Sequence, residues 1–129
     1  MVHAASPAIR IGLLQPVPPT ASQDAFGANY AAGQTRWQYR RNQHRVVERM
    51  NARYSEMPNV SLIPAYVNLD CVHNFPTATV PVNARNEESA IRQNNGVHPA
   101  ETGYRQIGDS IYCWLKNQLA NETKPEEAP

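Results

Sequence analysis

Apolar residues fall along this chain in two rhythms, and the change from one to the other marks its elements. Ile9 to Leu14 is a compact run of branched apolar side chains between Ser6-Pro7 and Gln15-Pro16, the pattern of a buried strand. Val17-Pro18-Pro19 and a polar, Gly- and Ala-rich stretch to Gly33 follow. Proline removes ladder donors, so this reads as a long loop at a strand end, where sites are commonly built. From Gln34 to Ser55 neither proline nor glycine interrupts, and Trp37, Val46, Val47, Met50 and Tyr54 recur at three- and four-residue steps. That spacing predicts a helix with one apolar face and an opposite face carrying arginines. Pro58-Asn59 ends it, and Val60-Ser61-Leu62-Ile63 predicts a second short strand. A strand, a helix and a strand in that order form a crossover unit whose strands lie parallel.

Between Pro64 and Val97 no period is visible. The stretch is too long for an ordinary connection, which marks it as functional or disordered, with Glu87 to Ile91 expected as a helical turn within it. After His98-Pro99, the stretch Ala100 to Ala120 turns helical again, with Tyr104, Ile107, Ile111, Trp114, Leu115 and Leu119 as its apolar stripe. Thr123 to Pro129 is acidic and proline-containing, so one domain over residues 1–120 and a flexible tail over 121–129 are expected.

Composition narrows the function classes. Twelve basic against eleven acidic side chains leave a formal charge of +1, which creates no field that would draw in nucleic acid. Arg36, Arg40, Arg41, Arg45, Arg49 and Arg53 cluster, but on a helical period a solvated basic face accounts for them. Cys71 and Cys113 have no metal-type spacing, so neither a metal, a cofactor nor a disulfide framework is expected. Two free thiols fit a reducing compartment such as the cytoplasm. No apolar run reaches the ~18 residues of a membrane span, and Met1 to Pro7 has no signal-peptide pattern.

One block departs from the generic. Asn95-Gly96-Val97-His98-Pro99, then Gly103-Tyr104 and Ile107 opening an amphipathic helix, places an imidazole on a proline-fixed loop just ahead of the last element. A serine hydroxyl is a poor nucleophile until a nearby base takes its proton, and an imidazole suits that task. This block resembles the last conserved block of the SGNH/GDSL hydrolases, in which an acidic residue, two others, His and Pro precede a Gly-Tyr and a C-terminal helix. The resemblance implies a partial flavodoxin-like three-layer α/β/α fold with short parallel strands. It also implies serine ester hydrolase chemistry on acyl or acetyl esters, a small ester or an acetylated carbohydrate being the substrate. His98 would be the general base. Asn95 stands where the family has its acid, and an amide carries no charge to stabilise an imidazolium. Asp70, in the long loop, is the alternative acid. The loops Pro16 to Gly33 and Tyr66 to Asn94 would wall the cleft, and Pro18 to Tyr30 and Leu69 to Pro76 resemble inserted loops of bacterial or phage-associated members.

The family's nucleophile and oxyanion blocks are not recognisable, and Met1 to Ala8 resembles the end of a helix that follows the asparagine block. Gly108-Asp109-Ser110 spells the nucleophile motif but lies inside the last helical stripe, where a serine has neither a strained turn nor adjacent oxyanion donors. The chain is therefore expected to supply the histidine half of the enzyme and to be inactive alone. The partner would be a missing N-terminal half, or a second copy joined through an open sheet edge. The alternative is a noncatalytic interaction or assembly module derived from the same fold.

Overall fold

Two short apolar runs that cannot each bury a face alone are joined by a helix that covers them, and the rest of the molecule is hung from that unit. The structure is a computed structural model that describes residues 6, 8–26 and 35–122. Its elements are β1 (Ile11–Leu14), α1 (Arg36–Tyr54), β2 (Val60–Ile63), a hairpin of β3 (Thr77–Asn83) and β4 (Asn86–Gln93), and α2 (Glu101–Glu122). Single 3-10 turns stand at Asp24–Phe26 and Ala65–Val67. The fold of the described residues is mixed α/β with two separate two-stranded sheets.

β1 and β2 pair in parallel, with Ile11 opposite Val60 and Leu14 opposite Ile63, as the crossover predicts. α1 starts at a capping box. The Thr35 hydroxyl accepts the Gln38 N–H at 3.2 Å, and the Gln38 side chain accepts the Thr35 N–H at 2.7 Å. The chain then turns into β2 through Asn59, whose φ of 58° is the left-handed conformation that asparagine tolerates. The Asn59 carbonyl takes the Ile11 N–H at 2.8 Å and so extends the parallel pairing by one bond. β1 begins two residues later than its apolar run, because the Ile9 N–H closes a turn onto the Ser6 carbonyl.

Both helices dock by faces other than the most apolar ones. On α1 the half-buried or buried positions are Arg36, Tyr39, Gln43, Val47, Met50 and Tyr54, at helical spacing, while Trp37 and Val46 of the expected stripe face solvent. Gln43 wins its inward place through a 2.7 Å bond from its amide to the Pro16 carbonyl. On α2 the inward line is Gly103, Gln106, Ser110 and Trp114. Four members of its predicted stripe, Tyr104, Ile111, Leu115 and Leu119, point away from the body and are 36–59% exposed. Glycine permits this docking. A Cβ on Gly12 would stand 2.9 Å from the Trp114 ring, so the bare backbone of β1 is what lets the indole lie on it.

Glu87 to Ile91 is strand, not a helical turn. The stretch has no apolar period of its own and is extended because it pairs antiparallel with β3, Thr79 against Ile91 and Val80 against Ala90. α2 runs through Glu122, so residues 121 and 122 of the expected tail are helical. Residues 123–129 of that tail, 1–5 and 7 of the expected N-terminal helix end, 27–33 of the long loop and Gln34 of the expected helix lie outside the described residues. The buried apolar residues, among them Phe26, Val47, Ile63, Leu69 and Phe75, form a small core. None of the helices is long and apolar enough to cross a membrane, among the described residues.

Candidate functional site

His98 stands on a loop whose shape is fixed by backbone bonding. β4 ends at Gln93, a buried polar residue that ties three segments together. Its side-chain oxygen accepts the Ser22 N–H at 2.8 Å, and its amide donates to the carbonyls of Cys71 at 2.9 Å and Val72 at 2.8 Å. One step on, the Asn95 side-chain oxygen accepts the N–H groups of Val97 at 3.1 Å and His98 at 2.8 Å, an Asx turn that reverses the chain. Gly96 sits inside this turn against the Phe26 ring, where a Cβ would come within 3.1 Å. Its carbonyl accepts the Thr20 N–H at 3.1 Å. Pro99 is buried, the Ala100 N–H reaches the Asn74 carbonyl at 2.9 Å, and α2 begins. The result is an exposed histidine between a closed turn and a helix start, supported by the loops around residues 20–26 and 69–75.

Asn95 thus acts on His98 through the backbone, its carbonyl oxygen being taken up by two amides. Asp70 is engaged elsewhere. One carboxylate oxygen accepts the N–H groups of Val72 at 2.8 Å and His73 at 3.0 Å, and the other meets His73 Nδ1 at 2.9 Å. The His73 N–H, then its imidazole, then the Val72 N–H hold the Asp70 carboxyl below its ordinary value. Gln106 of α2 steadies the same loop by accepting the Asp70 N–H at 2.8 Å. Sequence reasoning missed this acid–imidazole pair, although its signal was present. Asp70-x-x-His73 has the same spacing as Asn95-x-x-His98, and in the former a carboxylate lies against the ring. The two loops are neighbours through the bond between Ala100 and Asn74.

The chain matches no protein-family model, curated protein or solved structure with which it was compared. What its residues can do is therefore argued from geometry. Ser110 lies in the middle of α2, and its hydroxyl accepts the Asn68 amide at 2.7 Å and donates to the Gln106 carbonyl at 3.4 Å. A hydroxyl engaged in that way is a helix-packing group. Cys71 is no better a nucleophile. Burial pushes its thiol up, against the pull of Arg40, so it stays protonated at neutral pH. No three His, Cys, Asp or Glu side chains converge as metal ligands among the described residues. What remains is a pair of adjoining loops that present imidazoles to solvent, one of them oriented by a carboxylate, with no activated nucleophile among the described residues beside them.

Proposed function

We propose that this chain is the C-terminal part of an SGNH/GDSL-type serine ester hydrolase, of partial flavodoxin-like α/β/α architecture, in which His98 is the general base for a serine supplied by another polypeptide segment. The observation that carries the reading is the turn closed by Asn95, which holds His98 exposed and directly ahead of the terminal helix. A base in that position meets the geometric requirement of serine activation, provided a hydroxyl is brought to it. Apolar surface gives the reason to expect such a segment. The outer line of α2 is uncovered, Leu14 of β1 is 42% exposed, and parallel sheets are normally covered on both faces. A complementary segment, or a second copy joined along the open edge of β1, would cover that surface. The substrate is a small acyl or acetyl ester, an acetylated carbohydrate included.

The test is complementation. The chain alone is expected to give no histidine-dependent hydrolysis of p-nitrophenyl acetate. Addition of a segment carrying a strand that runs into a Gly-Asp-Ser turn is expected to restore turnover that His98→Ala abolishes and Ser110→Ala leaves intact. Strong turnover by the chain alone, lost on His98→Ala, would overturn the reading. The second reading, a noncatalytic assembly module, is favoured by Asn95 itself, which offers the imidazole no negative charge; it predicts stable association with no turnover.

A further inference from the structure

One groove of the molecule is cationic and aromatic in its chemistry. This groove, of about 500 Å³, is lined by Pro18, Trp37, Arg40, Arg41, His44 and Tyr66, with half-buried Gln43 among them. Its place in the fold follows from the topology. Pro18 comes from the chain just after β1, and Tyr66 from the 3-10 turn just after β2. The groove therefore opens at the carboxyl ends of both parallel strands, where open α/β sheets bind ligands. Its third wall is the N-terminal half of α1. There Trp37 and Arg41 form one i,i+4 pair and Arg40 and His44 the next, so two neighbouring ridges of the helix face the groove together. The 2.7 Å bond from Gln43 to the Pro16 carbonyl fixes that helix against the loop opposite.

Among the described residues neither Arg40 nor Arg41 forms a salt bridge, and the only carboxylate engaged by a lining residue is Glu48, which meets His44 at 3.7 Å. Two guanidiniums lining one groove match carboxylate or phosphate oxygens in paired hydrogen bonds. The aromatic members add a flat contact surface. Trp37 is 64% exposed, and the Arg36 guanidinium stacks on its ring at 4.2 Å. Size and net charge set the scale of the ligand. The volume falls in the range of small-molecule sites, roughly 300–1,000 Å³, and a chain of net charge +1 does not concentrate a long polyanion.

We infer that this groove binds a small ring compound bearing a carboxylate or phosphate, its anionic group on Arg40 and Arg41 and its ring against Trp37 or Tyr66. The inference does not rest on the hydrolase reading, and it is tested by binding to the full chain, without any activity assay. Phenyl phosphate, benzoate and neutral benzyl alcohol are titrated by calorimetry, with the change in tryptophan emission as a second readout. The expected result is saturable one-to-one binding of one or both anions and none of the alcohol, with the tighter anion naming the group. The double variant Arg40→Gln/Arg41→Gln should weaken anion binding at least about tenfold, while Arg49→Gln, on the same helix outside the groove, leaves it unchanged. Far-ultraviolet circular dichroism of each variant checks that α1 is intact. Equal binding of the alcohol and the anions, no anion binding by the parent chain, or unchanged affinity in the folded double variant would overturn the inference.

Discussion

Gly103 and Gly108 lie on one helix, five residues apart, and the same substitution is expected to move stability in opposite directions at the two. At Gly103 a Cβ would lie 2.7 Å from the Asn74 carbonyl oxygen, 2.7 Å from Pro99 Cβ and 3.1 Å from Leu69 Cδ1. Two of those neighbours belong to loops that cannot swing aside like a side-chain tip, and Asn74 also accepts the Ala100 N–H that starts α2. Overpacking of this kind costs about 1–3 kcal/mol, and losing the Asn74 bond about 1 kcal/mol more. The helical gain of alanine over glycine, up to ~1 kcal/mol, offsets only part of that. Gly103→Ala should therefore destabilise by roughly 1–3 kcal/mol. Gly108 has nothing within 4 Å of its would-be Cβ, so Gly108→Ala should keep the whole propensity gain of ~1 kcal/mol. The gap between the variants is then about 2–4 kcal/mol, read from urea unfolding followed by circular dichroism at 222 nm. Equal losses from both substitutions would refute the assignment of the Gly103 line as the docking face of α2.

Three further outcomes follow from the bonding already described. Thr35→Ala removes half of the capping box and should cost about 1 kcal/mol, seen as a lower urea midpoint with most of α1 retained. Because the Asp70 carboxyl is held below its ordinary value in the folded chain, it adds stability above the unfolded value of about 3.9 and loses it as pH falls through the folded value. Urea midpoints measured from pH 6 down to pH 2.5 should accordingly fall more steeply for the parent chain than for Asp70→Asn. Asn95→Ala should open the turn before His98 at a cost of about 1–2 kcal/mol for two hydrogen bonds, whereas Asn95→Asp keeps the acceptor. In a complemented hydrolase Asn95→Asp should raise turnover at least about tenfold.

The parallel unit was legible because its signals are local and redundant. Val60 to Ile63 is a branched apolar run bounded by Asn59 and Pro64, and α1 is free of helix breakers between its ends. The hairpin was not, for a physical reason on each strand. β3 does alternate, with Ala78, Val80 and Val82 on one side, but Pro81 sits among them, and proline argues against a strand unless it lies at an edge. β4 is polar on both faces and becomes extended only through its partner, so no window of its own residues contains the answer. The helix faces were misjudged in a related way. Hydrophobic period locates a stripe but not what lies opposite it, and here Gln43, Gln106 and Ser110 hold inward positions by hydrogen bonds to Pro16, Asp70 and Asn68. In the loops, His98 and Asn95 were singled out by the resemblance of their block to a known family, and the two residues lie on one turn. The Asp70–His73 pair was missed because the acid was sought for the other imidazole.

The β1–β2 pairing joins residues about 50 positions apart, whereas β3 and β4 are joined by a two-residue connection, Ala84-Arg85. Closing the longer loop carries a larger entropic cost, and a parallel pair can form only after its intervening helix has provided the crossover. The hairpin and the two helices should therefore be established early during refolding, with the union of the two apolar strands completing last. Truncation or a kinetic trap would strike that late step first, leaving a species with near-native helical signal and an unsecured sheet.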